Sequence, residues 1–323
     1  MRASCSICGG GATNRVVKAR GGADLTLWHC AGCDFEFQIH DPTADLAANK
    51  LDDSRLKAAG LDIPALERDF TNGLAQSAAY VNTYVTDAER GANVLEVGCS
   101  LGYLLKLVRD AGAYPFGVEL NTVRAQYVTE QLGIPCDVTL EACEGRGLRF
   151  RKIFLLYVLE YVPEPTVYLQ RLVDLLEEGG QLIVVTPNLR DTLKDVWRSE
   201  GFLKFFYDQH AINYLTPRAV DRMAARLRAG KVVSFTRQGY SFVNHVSWFL
   251  TGEPRTTGVV GGDNFVPEIL VQMRPEFSEA ALNDSRRVLA GRLADLIAEF
   301  DRNYRHTIES QAYGNQIHLV ITR

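Results

Sequence analysis

The stretch Val94-Leu95-Glu96-Val97-Gly98-Cys99-Ser100-Leu101-Gly102 constrains the fold more than any other. An apolar run from Asn93 to Val97 carries one acid and closes on a glycine. A second glycine four residues later opens an amphipathic stretch, Tyr103 to Ala111. This pattern is a buried strand, a tight turn and a helix start. Gly98 supplies backbone freedom at the turn, and Gly102 lets a ligand pass close to the backbone. In a parallel sheet such a turn sits where the ligand crevice opens. The third glycine of a dinucleotide fingerprint is absent. A second strand, Pro115 to Val118, ends in Glu119, 17 residues after Gly102, where an acid can accept both hydroxyls of a ribose.

The alternation continues: 93–98, 102–112, 115–119, 121–132 and 135–138, then a strand from Arg151 to Tyr157. A helix to about Glu177 is stopped by Gly179-Gly180, and Gln181 to Val185 forms the next strand. This rhythm predicts a doubly wound α/β fold. Lys231 to Arg237 and Asn315 to Thr322 read as the last two strands. The about 75 residues between them read as an insertion. It holds an apolar stretch from Phe242 to Leu250, a glycine-rich loop from Gly252 to Gly262, and an amphipathic helix from about Ser278 to Arg302. Leu293, Leu296 and Phe300 belong to that helix's apolar stripe. The helix either packs on the sheet or offers a dimer surface or active-site cover.

Four of seven cysteines form two Cys-x-x-Cys pairs, Cys5/Cys8 and Cys30/Cys33, separated by 21 residues. Each pair can place two thiolates on one metal, and a glycine near each second cysteine suits the knuckle. Four thiolates favour tetrahedral zinc, and a closed set of four protein ligands makes it structural. A redox dithiol needs only one such pair. Acidic residues after the module (Asp34, Glu36, Asp41), a formal net charge of −4 and a pI of about 5.9 argue against a nucleic-acid binder. Cys99 contributes its backbone to the first turn, while Cys136 and Cys143 read as ordinary thiols. Phe35 to Asp41 leaves the module as a strand. Pro42 to Glu89 reads as helices with turns at Gly60 to Pro64 and Thr71-Asn72-Gly73. Tyr80 and Tyr84 either pack that segment on the sheet or close over a ligand. No stretch approaches the roughly 18 apolar residues of a membrane span, and the N-terminus carries no signal core, so a cytoplasmic protein is expected.

Glu96-x-Gly98-x-x-x-Gly102 with Gly117-Val118-Glu119 resembles the nucleotide half of a class I S-adenosylmethionine (SAM) methyltransferase. Tyr157-Val158-Leu159-Glu160-Tyr161-Val162-Pro163, then Leu175-Leu176-x-x-Gly179-Gly180-x-Leu182-Ile183-Val184 and Thr186-Pro187-Asn188, resemble its second half. The similarity is closest to bacterial members acting on sugars, polysaccharides and natural products, many of which begin with a four-cysteine zinc module. The resemblance implies a Rossmann-like seven-stranded sheet with an N-terminal zinc ribbon and a helical insertion before the last strand. The implied domains are a zinc module at 1–40, a helical linker or cap at 41–90, and a SAM-binding domain at 91–323 with the insertion at about 240–313.

In that frame Glu96, Gly98, Cys99 and Gly102 hold the methionine end, and Glu119 with Leu120 the ribose. Leu140 and Glu141 border the adenine, while Leu156 and Tyr157 line the side nearest the methyl. The resemblance implies a catalytic role for His210 with Tyr207, since the family commonly has a histidine shortly before a Thr-Pro such as Thr216-Pro217. It implies methyl transfer to a small-molecule or sugar acceptor, foremost O-methylation of a sugar, nucleotide sugar or polysaccharide unit. C- or N-methylation of another metabolite, a non-catalytic SAM-fold scaffold, and a homodimer stay open. Three departures from the family pattern stand out. Arg151-Lys152 replaces an aromatic-acid pair and reads as a surface change. Tyr157 and Tyr161 stand where histidines are common. Gln209 replaces the acid of a Tyr-x-Glu-His element found in sugar C-methyltransferases.

Overall fold

Four short strands carry the cysteine-bearing N-terminus: β1 (Ala3–Ser4), β2 (Gly11–Lys18), β3 (Asp24–Cys30) and β4 (Phe35–Phe37). Eight more follow: β5 (Asn93–Val97), β6 (Tyr114–Val118), β7 (Cys136–Asp137), β8 (Phe150–Leu156), β9 (Leu176–Pro187), β10 (Asn213–Tyr214), β11 (Lys231–Arg237) and β12 (Gln316–Thr322). The structure, a computed structural model, describes residues 3–39, 63–253 and 284–323. The described chain divides into two compact units, Met1–Leu189 with Lys204–Phe235 and Gln316–Arg323, and Arg190–Leu203 with Thr236–Asn315.

The first unit holds both sheets. One is antiparallel, in the order β1-β2-β3-β4-β10. The other is seven-stranded and mixed, in the order β11-β12-β9-β8-β5-β6-β7. Strands β5 to β9 pair in parallel, and β12 runs antiparallel to β9. The α/β fold expected from the strand-helix rhythm and the seven-stranded sheet implied by the family resemblance are therefore both present. Alternation along the strands feeds two core layers. Leu95, Val97, Ile153, Leu155, Leu182 and Val184 face one layer, and Val94, Phe154 and Ile183 face the other with Leu104 and Val108. Side-chain caps start several of the described helices; for example, Asn121 Oδ1 accepts from Arg124 N, Thr139 Oγ1 from Ala142 N, and Thr216 Oγ1 from Ala219 N.

Several expectations are corrected. Thr71-Asn72-Gly73 is not a turn but lies inside one helix, Ile63–Tyr84. A Cβ on Gly73 would lie 2.5 Å from the Tyr103 ring, so this glycine serves close packing of that helix on Tyr103–Asp110. The helix before β9 ends at Asp174 rather than near Glu177. Phe150 pairs with Leu176, and a register shift between Phe150 and Lys152 lets β9 run through Gly179-Gly180. The turn at Gly60 to Asp62, Asp41, and the glycine-rich loop beyond Glu253 lie outside the described residues.

In the second unit the apolar stretch forms a helix, Phe242–Thr251, and the long helix runs Asp284–Ser310. Leu293, Leu296 and Phe300 of its apolar stripe are exposed, with the Phe300 ring edge-on to Phe242 at 4.9 Å. Its packed face lies further along, where Asp301 Oδ1 accepts from Phe242 N at 2.6 Å and Tyr304 Oη lies 2.7 Å from His245 Nδ1.

Lys152 is not a surface residue either. It is 3% exposed. Its Nζ lies 2.9 Å from Glu89 Oε1 and donates to the Tyr84 carbonyl. Burial lowers the lysine's pKa against the opposing pull of Glu89. Burial raises that of Glu89, but Lys152 and the Thr86 amide outweigh it and the net shift is downward. The pair ties the end of the Ile63–Tyr84 helix to β8. Because breaking a buried pair strands one charge, Lys152→Met should cost about 3–5 kcal/mol in urea unfolding. The double variant Lys152→Met/Glu89→Gln should recover much of that loss, and no recovery would contradict the pairing.

Candidate active site

The turn after β5 is held by β6. Gly98 N and Cys99 N donate to the Val118 carbonyl at 2.7 and 3.2 Å. Gly98 has φ +79°, Ser100 +50° and Gly102 +77°. The left-handed backbone of Ser100, a residue with a Cβ, marks a constrained loop. A Cβ on Gly98 would lie 2.4 Å from Val158 Cγ2, so the segment after β8 rests directly on the turn. Gly102 differs from expectation. A Cβ there would lie 2.9 Å from Leu132 and 3.1 Å from Val128, so the glycine makes room for protein side chains rather than for a ligand.

Two acids face this turn. Glu119, 9% exposed, accepts from Ser100 N through Oε2 at 2.8 Å and from Asn121 N through Oε1 at 2.9 Å. Both oxygens are thus held in place with lone pairs to spare. Glu96 is 7% exposed, and its Oε2 has no hydrogen-bond partner. Burial, and then the charges of Glu119 and Cys136, push its carboxyl well above the usual carboxylate range. Cys136 is not an isolated thiol: β6 and β7 pair Gly117 opposite it, and its Sγ lies 3.7 Å from Cys99 Sγ. A Cβ on Gly117 would meet those sulfurs at 2.8 and 3.0 Å, so this glycine makes space for both.

The remaining expected cofactor residues separate. Leu120 is 59% exposed beyond the tip of β6. Leu156 is half-buried against the Tyr80 and Tyr84 cluster. Tyr157, 40% exposed with φ +56°, stands at the tip of β8, next to Val158 and the turn. Leu140 is buried in the main core, and Glu141, exposed, pairs with Arg171 at 2.7 Å.

The expected catalytic pair does not assemble at the turn. Tyr207 is buried, with its hydroxyl accepting from Arg15 Nη2 at 2.8 Å and donating to Glu36 Oε2 at 3.4 Å. Burial, then Glu36, raises its pKa. It is a brace of the N-terminal sheet. His210 is exposed. Its Nε2 lies 3.0 Å from the Gln209 side-chain nitrogen, which as a donor occupies the ring's basic lone pair.

Sequence reasoning passed over Glu160, one residue in a recognised motif. It is buried just past β8, with Thr186 Oγ1 donating to its Oε2 at 3.2 Å. Burial raises its carboxyl to about 7. The signal is an acid in the short turn Leu159–Tyr161 that follows a buried strand.

The four N-terminal sulfurs converge. Cys5 and Cys33 Sγ are 3.9 Å apart, Cys8 and Cys30 Sγ 3.5 Å, and all four lie within 4.8 Å of one another. A tetrahedral site with metal–sulfur bonds of about 2.3 Å has edges of about 3.8 Å, so the set fits one metal ion. Gly9 takes the left-handed position in the first knuckle, but in the second it is Asp34 (φ +55°) rather than Gly32.

A family model described as a methyltransferase domain matches residues 71–227. A ubiquinone biosynthesis O-methyltransferase of Cereibacter sphaeroides is 33% identical over 104 residues, covering 30% of this chain and 42% of that protein. Its counterpart from Ruegeria pomeroyi is 27% identical over 170 residues, covering 49% and 66%. The chain spans about two fifths of the length of the first curated relatives it matches. Among solved structures, a SAM dependent methyltransferase from Archaeoglobus fulgidus superposes with a TM-score of 0.47 at 12% identity, covering 81% of this chain and all of that one. The plantazolicin methyltransferase BpumL in complex with SAH gives 0.41 at 15% identity, covering 88% and 91%. The fold is the methyltransferase fold, with a mixed sheet of seven strands. Among the described residues no helix is long and apolar enough to cross a membrane.

The raised carboxyl of Glu160 has a thermodynamic signature. Its contribution to stability is full below the unfolded value near 4.5 and is lost as pH rises through about 7. Glu160→Gln should therefore melt close to the parent protein at pH 5 and several degrees above it at pH 8.5. An equal difference at both pH values would show that the carboxyl is not raised.

Proposed function

We propose that the chain is a SAM-dependent methyltransferase acting on a hydroxyl of a small molecule. The observation that carries this reading is the pair of carboxyl groups at the turn: Glu96, buried with an oxygen that no donor meets, and Glu119, whose charge acts on it. A dinucleotide would bring an anionic pyrophosphate to such a turn, whereas SAM brings an ammonium and a sulfonium, which an acid-lined site favours.

In this reading Glu96 and the Gly98–Gly102 turn, with Cys99 contributing backbone, hold the methionine end. Glu119 accepts from the ribose hydroxyls, Leu120 covers the nucleoside, and Leu156 and Tyr157 line the side nearest the methyl. SAM supplies an already activated methyl group, so the protein's task is alignment of the acceptor and exclusion of water. His210 is the base carried over from the family resemblance; acting as one requires Gln209 to release its Nε2. The names of the curated relatives support O-methylation. A sugar or nucleotide sugar is the acceptor implied by the family resemblance. We assign 1–40 to a structural zinc module, 41–90 to a helical cap, and 91–323 to the SAM-binding domain with its insertion at about 240–313.

Titration calorimetry with SAM and S-adenosylhomocysteine tests the site. Micromolar binding is expected, weakened about 10- to 100-fold in Glu119→Ala, which removes hydrogen bonds to both the ligand and the Ser100 amide. Absence of binding by folded protein would overturn the proposal. For the metal, elemental analysis should give one zinc per chain, lost in Cys30→Ser, and chelation should lower the melting temperature. A metal-free parent protein with unchanged melting would contradict it.

A further inference from the structure

We infer that the exposed apolar stripe at Leu293, Leu296 and Phe300 is the contact surface of a homodimer, in which the long helix packs antiparallel against the same helix of a second copy. The inference concerns the second unit alone and does not depend on the methyltransferase reading.

The three residues recur at intervals of three and four along the helix Asp284–Ser310, so they line one face of it. All three are exposed, Leu296 by 62%. From Phe300 a row of rings continues across the unit. Phe300 and Phe242 centroids lie 4.9 Å apart, Phe242 and Trp197 6.4 Å, and Trp197 and Phe249 5.5 Å. Phe249 and its neighbour Leu250 are exposed as well. Large apolar side chains gathered in this way mark a surface that meets a partner. A stripe with three-and-four spacing is the kind that a second helix covers.

The charges beside the stripe fit a second copy of the same chain. Arg292 stands one position before Leu293, and Glu299 one position before Phe300; both are exposed. They hold equivalent flanking positions seven residues apart and carry opposite signs. In an antiparallel pair whose two-fold axis passes near Leu296, Arg292 of one protomer lies beside the partner's Glu299, and the symmetry makes the match twice. Asp295 and Arg302, also exposed and seven residues apart, repeat the opposition further from the seam. In a parallel pair Arg292 and Glu299 would face the positions five residues on, Ile297 and Tyr304, which bring no opposite charge. With two arginines and two acids along its borders, the stripe carries no net charge to draw it to an anionic lipid surface.

A neighbouring face of the helix is already engaged within the unit. Asp301 is buried, accepts from Phe242 N, and pairs through Oδ2 with Arg305 Nε at 2.6 Å. Tyr304 meets His245, and Ile308 is buried. The stripe is therefore presented by an anchored helix, which lowers the ordering cost of forming the pair.

The test is the mass of the full chain in solution, by sedimentation equilibrium from about 1 to 100 µM, a range that detects micromolar association. A species of twice the 35.9 kDa chain is expected. Leu296→Glu should weaken the dimer about 100-fold by bringing two unpaired charges to the axis, with an unchanged circular dichroism spectrum. Arg292→Glu and Glu299→Arg should each weaken it about tenfold alone. Mixing those two variants should restore association, because the acidic pair of one then faces the basic pair of the other. A parent protein that stays monomeric throughout would overturn the inference, leaving residues 254–283 of the same chain or a lipid bilayer as the occupant; flotation with phosphatidylcholine vesicles separates these two. A dimer indifferent to Leu296→Glu would place the interface elsewhere and overturn it. Charge variants that do not recover on mixing would overturn the antiparallel pairing. None of these outcomes requires S-adenosylhomocysteine to bind, so failure here and failure of the methyltransferase reading are separable.

Discussion

Parallel pairing of β5 with β6 on one side and β8 on the other fixes everything at the candidate site. It brings three strand tips together at the point where strand order reverses. Val97 then leads into the turn, Val118 supplies the carbonyl that receives two turn amides, and Val158 closes on Gly98 from the third strand. Glu119 completes the assembly by accepting from Ser100 N. None of these bonds is local to the turn. The loop's left-handed residues are held by neighbouring strands, which is how a backbone of this kind persists.

The charge distribution follows from the same arrangement. Strands buried on both faces leave little water for an acid at their tips, so Glu96 and Glu160 both have raised carboxyls. Lys152 and Glu89 solve the problem differently, by pairing. The N-terminal module is joined to the larger sheet by comparable means. Strand β10 extends the module's sheet through β4, and Thr216 Oγ1 donates to the Cys33 carbonyl at 3.4 Å. A metal held by the four sulfurs would therefore stabilise residues well outside the module.

Local pattern explains what was readable in the sequence. The run Asn93–Val97, the two glycines and the acid at 119 carry their information within a few residues, and strands and turn appear where that pattern puts them. The cysteine pairs are legible for the same reason. Long-range pairing explains what was not. Lys152 reads as surface because its partner lies 63 residues earlier in the chain, in Glu89. Gly73 reads as a turn because the Tyr103 ring that requires it comes from another helix. Tyr207 reads as catalytic because its motif is local, whereas Arg15 and Glu36, which hold it, belong to the N-terminal sheet.

The turn at residues 96–102, with Glu119, is the proposed nucleoside cofactor site. Hydrogen exchange with and without S-adenosylhomocysteine tests it most directly, because the readout is the backbone of the turn itself. Added protection concentrated in peptides covering 96–103 and 119–121 is expected. Unchanged exchange in those peptides, with protection elsewhere such as along β2 and β3, would contradict it.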